Sequence, residues 1–137
     1  MATSQSTSKT TEQIREALTR YATAWLAGDR ATLAACYHAD FTLHYFGRHP
    51  LAGAHRGKAA ALAILAEVFR RTNRQVLAVI DIMPGSHRGA LLVRERFSRD
   101  GRIAELERLL VYSVQDGLLR ECWVYDQDQA VIDAFLS

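Results

Sequence analysis

Cysteine is scarce in this chain. Cys36 and Cys122 are the two thiols in 137 residues, far apart and in no CxxC spacing, which argues against a disulfide framework and a zinc knuckle. A reducing, cytoplasmic setting is the expectation. Charge of one sign is lacking as well: a formal net charge of +2 with 23% charged residues gives no field that selects nucleic acid or a membrane surface. No stretch reaches the roughly 18 uninterrupted apolar residues of a spanning helix. Residues Met1 to Thr10 are rich in Ser and Thr without an apolar run, so they read as a disordered tail and not as a signal peptide. What remains is 49% hydrophobic overall and long enough for one packed core, which makes 11–137 a single domain.

Helical spacing dominates the first half. Ile14, Leu18, Tyr21 and Trp25 fall on one stripe of a helix from about Thr11 to Ala27. Thr10 with Gln13 reads as its capping pair, and Gly28 as its left-handed end. Asp29 then caps a second helix, Arg30 to about Tyr37. Asp40 to Phe46 alternates as a strand with Phe41, Leu43 and Tyr45 on one face. The glycines and Pro50 between Gly47 and Gly57 predict an irregular loop that covers a pocket mouth. Lys58 to Arg71 returns to helical spacing through Leu62, Leu65 and Phe69.

Strands fill the second half: Gln75 to Met83, Gly89 to Arg99, Arg102 to Gln115 and Leu118 to Asp126. Asp100-Gly101 and Asp116-Gly117 each suit a two-residue hairpin turn, because both central positions tolerate positive φ. The first turn sets Arg96 opposite Glu105, Arg94 opposite Glu107 and Leu92 opposite Leu109. The second, read as equally tight, sets Leu109 opposite Val124, Glu107 opposite Asp126 and Val111 opposite Cys122. One face then carries Leu92-Leu109-Val124 and the charged row Arg94-Glu107-Asp126, while the other carries Leu91-Leu110-Trp123 and Val93-Arg108-Tyr125. Apolar residues on both faces predict helices over one and a second subunit over the other.

In the order of these features the chain resembles the nuclear transport factor 2-like superfamily, and within it the SnoaL-like and ketosteroid-isomerase-like proteins. The likeness runs over 11–136: Arg20-Tyr21 and Gly28-Asp29, the Tyr37-His38-Ala39-Asp40-Phe41 entry to a strand, Gly53 to Gly57 before the third helix, and the last Asp-Gly hairpin. It implies an α+β cone of three N-terminal helices on a curved, mostly antiparallel sheet with a short C-terminal helix. It also implies an apolar pocket and a homodimer joined through the sheets. Tyr21 stands where ketosteroid isomerases place an oxyanion donor. Their general-base Asp corresponds to Tyr45 and their second acidic donor to about Leu109. SnoaL-like cyclases show Glu-His-Trp-Asp where this chain reads Glu121-Cys122-Trp123-Val124. In limonene-epoxide-hydrolase-like members, an Arg segment resembling Glu95-Arg96 is joined by Asp side chains where Ser98 and a residue near Val124 stand here.

The catalytic candidates are therefore Asp126, Glu107, Arg94, Tyr21 and Tyr45, and the substrate-binding ones Trp25, Leu43, Leu92, Leu109, Val111, Cys122 and Val124. Two carboxylates on one guanidinium can hold separated pKa values and so supply an acid and a base; the same row also reads as a structural ion network. Tyr21 and Tyr45 read either as oxygen donors or as core tyrosines, and Cys122 as a nucleophile or a small hydrophobe. His44, His49 and His55 match no metal-ligand spacing, so no metal and no cofactor are expected. The Arg70-Arg71 and Arg74 cluster lacks a base-stacking platform, so no nucleic acid is expected either. The expected function is binding of a small hydrophobic ligand, by an isomerase-, cyclase- or hydrolase-like enzyme acting on an oxygenated metabolite through proton transfer. The alternative is a non-catalytic ligand-binding or dimerising accessory domain, with Trp123 and Tyr125 on the dimer face.

Overall fold

A computed structural model describes residues 2–137, with side chains from residue 9 onward. Helix α1 spans Ala2–Ala27; it starts ahead of the Thr10–Gln13 cap and runs through the segment expected as a disordered tail. It ends where Gly28 takes φ 68°, a conformation that favours glycine. Asp29 caps α2 (Arg30–Ala35) by accepting from the Thr32 amide at 3.2 Å. Strand β1 (Tyr37–Tyr45) follows, then β2 (Gly53–Arg56) and α3 (Lys58–Thr72). The segment read as loop thus contains a strand: β2 pairs antiparallel with β1, Leu43 opposite His55. Strands β3 (Gln75–Pro84), β4 (Gly89–Arg99), β5 (Arg102–Gln115) and β6 (Leu118–Asp126) lead to α4 (Gln129–Leu136).

The six strands form one sheet in the order β2-β1-β6-β5-β4-β3, parallel at β1–β6 and antiparallel elsewhere. Helices α1 and α3 cover one face, which carries the core: Phe41, Leu43 and Tyr45 of β1, Leu91, Val93 and Phe97 of β4, Leu110 and Tyr112 of β5, Cys122 and Val124 of β6. Burying these large side chains removes on the order of 1.5–3 kcal/mol of apolar exposure apiece. The approach of α1 is close, since a Cβ at Gly89 would lie 2.5 Å from Ile14 and 2.7 Å from Leu18. Among the described residues no helix is long and apolar enough to cross a membrane.

Both Asp-Gly corners form as expected, with positive φ at Asp100, Gly101, Asp116 and Gly117. The β4–β5 register is also the expected one: Arg94 faces Glu107 and Leu92 faces Leu109. The β5–β6 register is not. It starts as predicted, with Gln115 opposite Leu118 and Val114 opposite Leu119, but then jumps to Ser113 opposite Glu121. Arg120 is left without a partner on β5 and donates to the Asp40 carbonyl, 2.5 Å away. This β-bulge moves the rest of β6 by one residue, and a one-residue slip exchanges the two faces. Leu110 now faces Val124, Tyr112 faces Cys122 and Arg108 faces Asp126.

Candidate functional site

The bulge divides the sequence-derived site between the two sides of the sheet. Asp126, Tyr45, Leu43, Cys122 and Val124 lie on the helix-covered face, and Tyr21 reaches the same interior from α1. Arg94, Glu107, Leu92, Leu109 and Val111 lie on the outer face, so the predicted Arg94-Glu107-Asp126 row does not exist as a unit. Arg94 instead meets Glu105 at 3.3 Å, and Arg96 meets the same carboxylate at 2.7 Å. Trp25 is half-buried at the open end between the helices. The outer face holds Trp123 and Tyr125, as expected, with His44 stacked on Trp123 at 5.0 Å and Phe46 beside Tyr125 at 5.2 Å. Glu121 accepts a hydrogen bond from His44 there at 2.7 Å.

The interior charge centre is Arg108, 1% exposed. Its Nε and Nη2 donate to Asp126 at 2.5 and 3.2 Å, its Nη1 to Glu95 at 3.1 Å and its Nη2 also to Tyr45 at 2.8 Å. Glu95, fully buried, also takes the Nε of Arg74. Burial alone pushes the Glu95 carboxyl up, but Arg74 and Arg108 outweigh it and hold it below the usual carboxylate range. Burial likewise opposes the charge on Arg108, and Tyr45, Asp126 and Glu95 together keep it firmly protonated. Two guanidinium and two carboxylate groups thus form a neutral, hydrogen-bonded network in the core, the condition under which buried charge is tolerated.

Beside this network sits a phenol cluster. The hydroxyls of Tyr21 and Tyr37 share a 2.7 Å hydrogen bond, and the ring of Tyr112 lies 5.7 Å from that of Tyr21. Burial raises the pKa of all three, most for Tyr37 and Tyr112, so they stay protonated as hydrogen-bond donors. Burial also pushes the Cys122 thiol up to about 12, which removes the thiolate a nucleophile needs. Cys122 is a packed side chain. Tyr37, Tyr112, Arg108, Arg74 and Glu95 were missed as site residues. The Glu107–Asp126 pairing was itself a signal, because like charges directly opposite on a sheet repel, and a shift by one brings Arg108 to Asp126.

The tyrosines, Arg74 and Arg108 surround a cavity of about 20 Å³, enough for about one water molecule. Tyr37, Leu65 and Arg74 form the wall between it and a larger groove of about 910 Å³ bounded by α1, α2, α3 and β3. Leu62, Leu65 and Phe69 of α3 line that groove, with Phe69 52% exposed, while the helix buries Ala61, Val68 and Thr72 against the sheet. The expected stripe is therefore the groove wall. The loop histidines stay apart: His49 bonds the Phe46 carbonyl at 3.1 Å and His55 the Leu51 carbonyl at 2.8 Å.

A sequence profile described as a SnoaL-like domain matches residues 18–122. Among solved structures, Bal32a from a soil-derived mobile gene cassette aligns with a TM-score of 0.83 at 22% identity, over 92% of this chain and 98% of its own. A putative SnoaL-like polyketide cyclase from Jannaschia sp. CCS1 aligns with a TM-score of 0.72 at 17% identity, over 92% and 93%. Rv0760c from Mycobacterium tuberculosis, in complex with estradiol-17beta-hemisuccinate, aligns with a TM-score of 0.66 at 18% identity, over 82% and 92%. These likenesses show the fold. No curated protein matches the chain.

Proposed function

The chain belongs to the SnoaL-like domain family, and from that premise we propose that it binds a hydrophobic, oxygen-bearing small molecule. The apolar body lies along the groove, and an oxygen reaches the phenols behind it. The observation that carries this reading is the shared wall: Tyr37, Leu65 and Arg74 border both the 910 Å³ groove and the interior cavity. An apolar cleft that converges on a few polar groups is the usual form of a ligand site. The complex of Rv0760c with a steroid ester supports it by analogy of fold.

Binding without chemistry is the function this geometry favours. A proton-transfer catalyst at neutral pH needs a group poised near that pH. Here Glu95 is held low, the Tyr21, Tyr37 and Tyr112 phenols are pushed up and Cys122 is at about 12. Isomerase-, cyclase- or hydrolase-type turnover is the second reading, favoured by Tyr21 and Arg108 lining one cavity, with Asp126 held by Arg108. Binding is read from Trp25 emission in a Trp123→Phe background, titrated with steroid, polyketide and epoxide compounds. Saturable quenching that disappears in Leu65→Phe, where the new ring fills the shared wall, is the expected result; quenching by none of them overturns the binding reading. Turnover of any panel member that is lost in Asp126→Asn favours the enzyme instead.

The outer sheet face is the proposed homodimer surface. Leu92, Leu109, Val111, Trp123 and Tyr125 lie on it, and Tyr125 is 48% exposed.

A further inference from the structure

The two arginines of the interior differ in what they have left to give. Arg108 uses Nε, Nη1 and Nη2 on Asp126, Glu95 and Tyr45. Arg74 spends Nε and Nη2 on Glu95, and its Nη1 makes no hydrogen bond among the described residues. That nitrogen is not sealed in protein either, since among the described residues the one buried side-chain polar atom without a partner is Ser113 Oγ. Arg74 Nη1 therefore opens onto the space it lines. The guanidinium is held in place, 5.2 Å over the Trp25 ring and with its side chain 14% exposed.

The groove outside has the matching electrostatics. Its charged lining consists of Arg30 and Arg74, with no Asp or Glu, and the rest is largely apolar, including Leu26, Phe69 and Leu77 at 53%, 52% and 39% exposure. The network around Arg108 is neutral overall, so attraction comes locally from the open donor and from Arg30 at the mouth. A charge-assisted hydrogen bond in such a water-poor wall is about twice as strong as a neutral one. We propose that the ligand is a free amphiphile with a single carboxylate, met by Arg74 Nη1, its apolar body against the Leu62–Leu65–Phe69 stripe. The inference rests on the groove being a small-molecule site and adds the class of molecule.

Pyrenebutyrate and its neutral counterpart pyrenebutanol test it, titrated against the full chain at neutral pH by fluorescence anisotropy. The carboxylate binds about tenfold more tightly. That preference is lost in Arg74→Gln, retained in Arg74→Lys and untouched by Arg94→Gln on the outer face, with thermal melts confirming that each variant folds. If Arg74→Gln does not fold, the preference of the unmodified chain and its survival in Arg74→Lys decide the matter. Equal affinity of the two probes overturns the inference and leaves the groove as a neutral-ligand site. If neither probe binds, and the chain sediments as a dimer that Phe69→Ser dissociates, the groove belongs to a second copy and both readings fail.

Discussion

Arg108 is where sequence and structure part most clearly at the scale of single residues. It sits between Glu107 and Leu109, on a strand whose alternation is blurred by the run Leu109-Leu110-Val111-Tyr112. Such a run fits either face, so charge had to decide, and only the pairing with Asp126 shows which charge goes inside. Leu43, Tyr45 and Tyr21 were legible because strand alternation and helical spacing place them without reference to β5, whereas Cys122 and Val124 were placed through a β5 register that the structure replaces, opposite Tyr112 and Leu110. Removing one member of a buried pair leaves the others uncompensated. Arg108→Met should therefore cost about 3–5 kcal/mol in urea unfolding, whereas Glu107→Gln on the outer face should change stability by less than about 0.5 kcal/mol. Glu95 gives a prediction in pH. Its folded pKa lies below the ordinary carboxylate value, so its contribution is complete above the unfolded pKa of about 4.3 and fades as pH falls through the folded value. Acid unfolding curves should show that loss, and Glu95→Gln should be less stable at neutral pH with a shallower acid limb.

At the scale of elements, the bulge at Arg120 decides what the pocket contains. Strand boundaries and both hairpin corners were readable from Asp-Gly pairs. The bulge was not, because its cause lies outside the hairpin: β6 also pairs in parallel with β1, where residues 38–41 interrupt the register between Tyr37–Leu119 and Thr42–Glu121. A faint trace is present in the spacing of the inward residues Leu119, Cys122 and Val124, which opens at three before settling to two. Deleting Arg120 would remove the extra residue and leave Glu121 opposite Ser113 and Asp126 opposite Arg108, at the cost of the Arg120–Asp40 contact and the offset against β1. The expected outcome is a cooperative melt in circular dichroism with a lowered midpoint; loss of the cooperative melt would mean that the inward face of β6 depends on the bulge itself.

For the whole molecule, the cone architecture was legible from element order, while the occupancy of its surfaces was not. Helix spacing marks Leu62, Leu65 and Phe69 as apolar without saying whether a sheet or a ligand meets them, and here they wall the groove. The outer face carries a stack of Arg88, Trp123 and His44, with Arg88 4.0 Å above the indole. If that face joins two copies, Tyr125→Asp should shift the chain to monomers in sedimentation velocity, with its melt unchanged at high dilution. Sedimentation as monomers by the parent chain at all concentrations would remove the dimer.

The placement of Arg108 and Asp126 inside, with Glu107 outside, underlies every functional statement, and a double-mutant cycle reads it directly. Urea unfolding of Arg108→Met, Asp126→Asn and the double variant should give a coupling energy of about 1–3 kcal/mol, with near-zero coupling between Glu107→Gln and Asp126→Asn. Coupling at Glu107–Asp126 with none at Arg108–Asp126 would contradict the register and the site built on it.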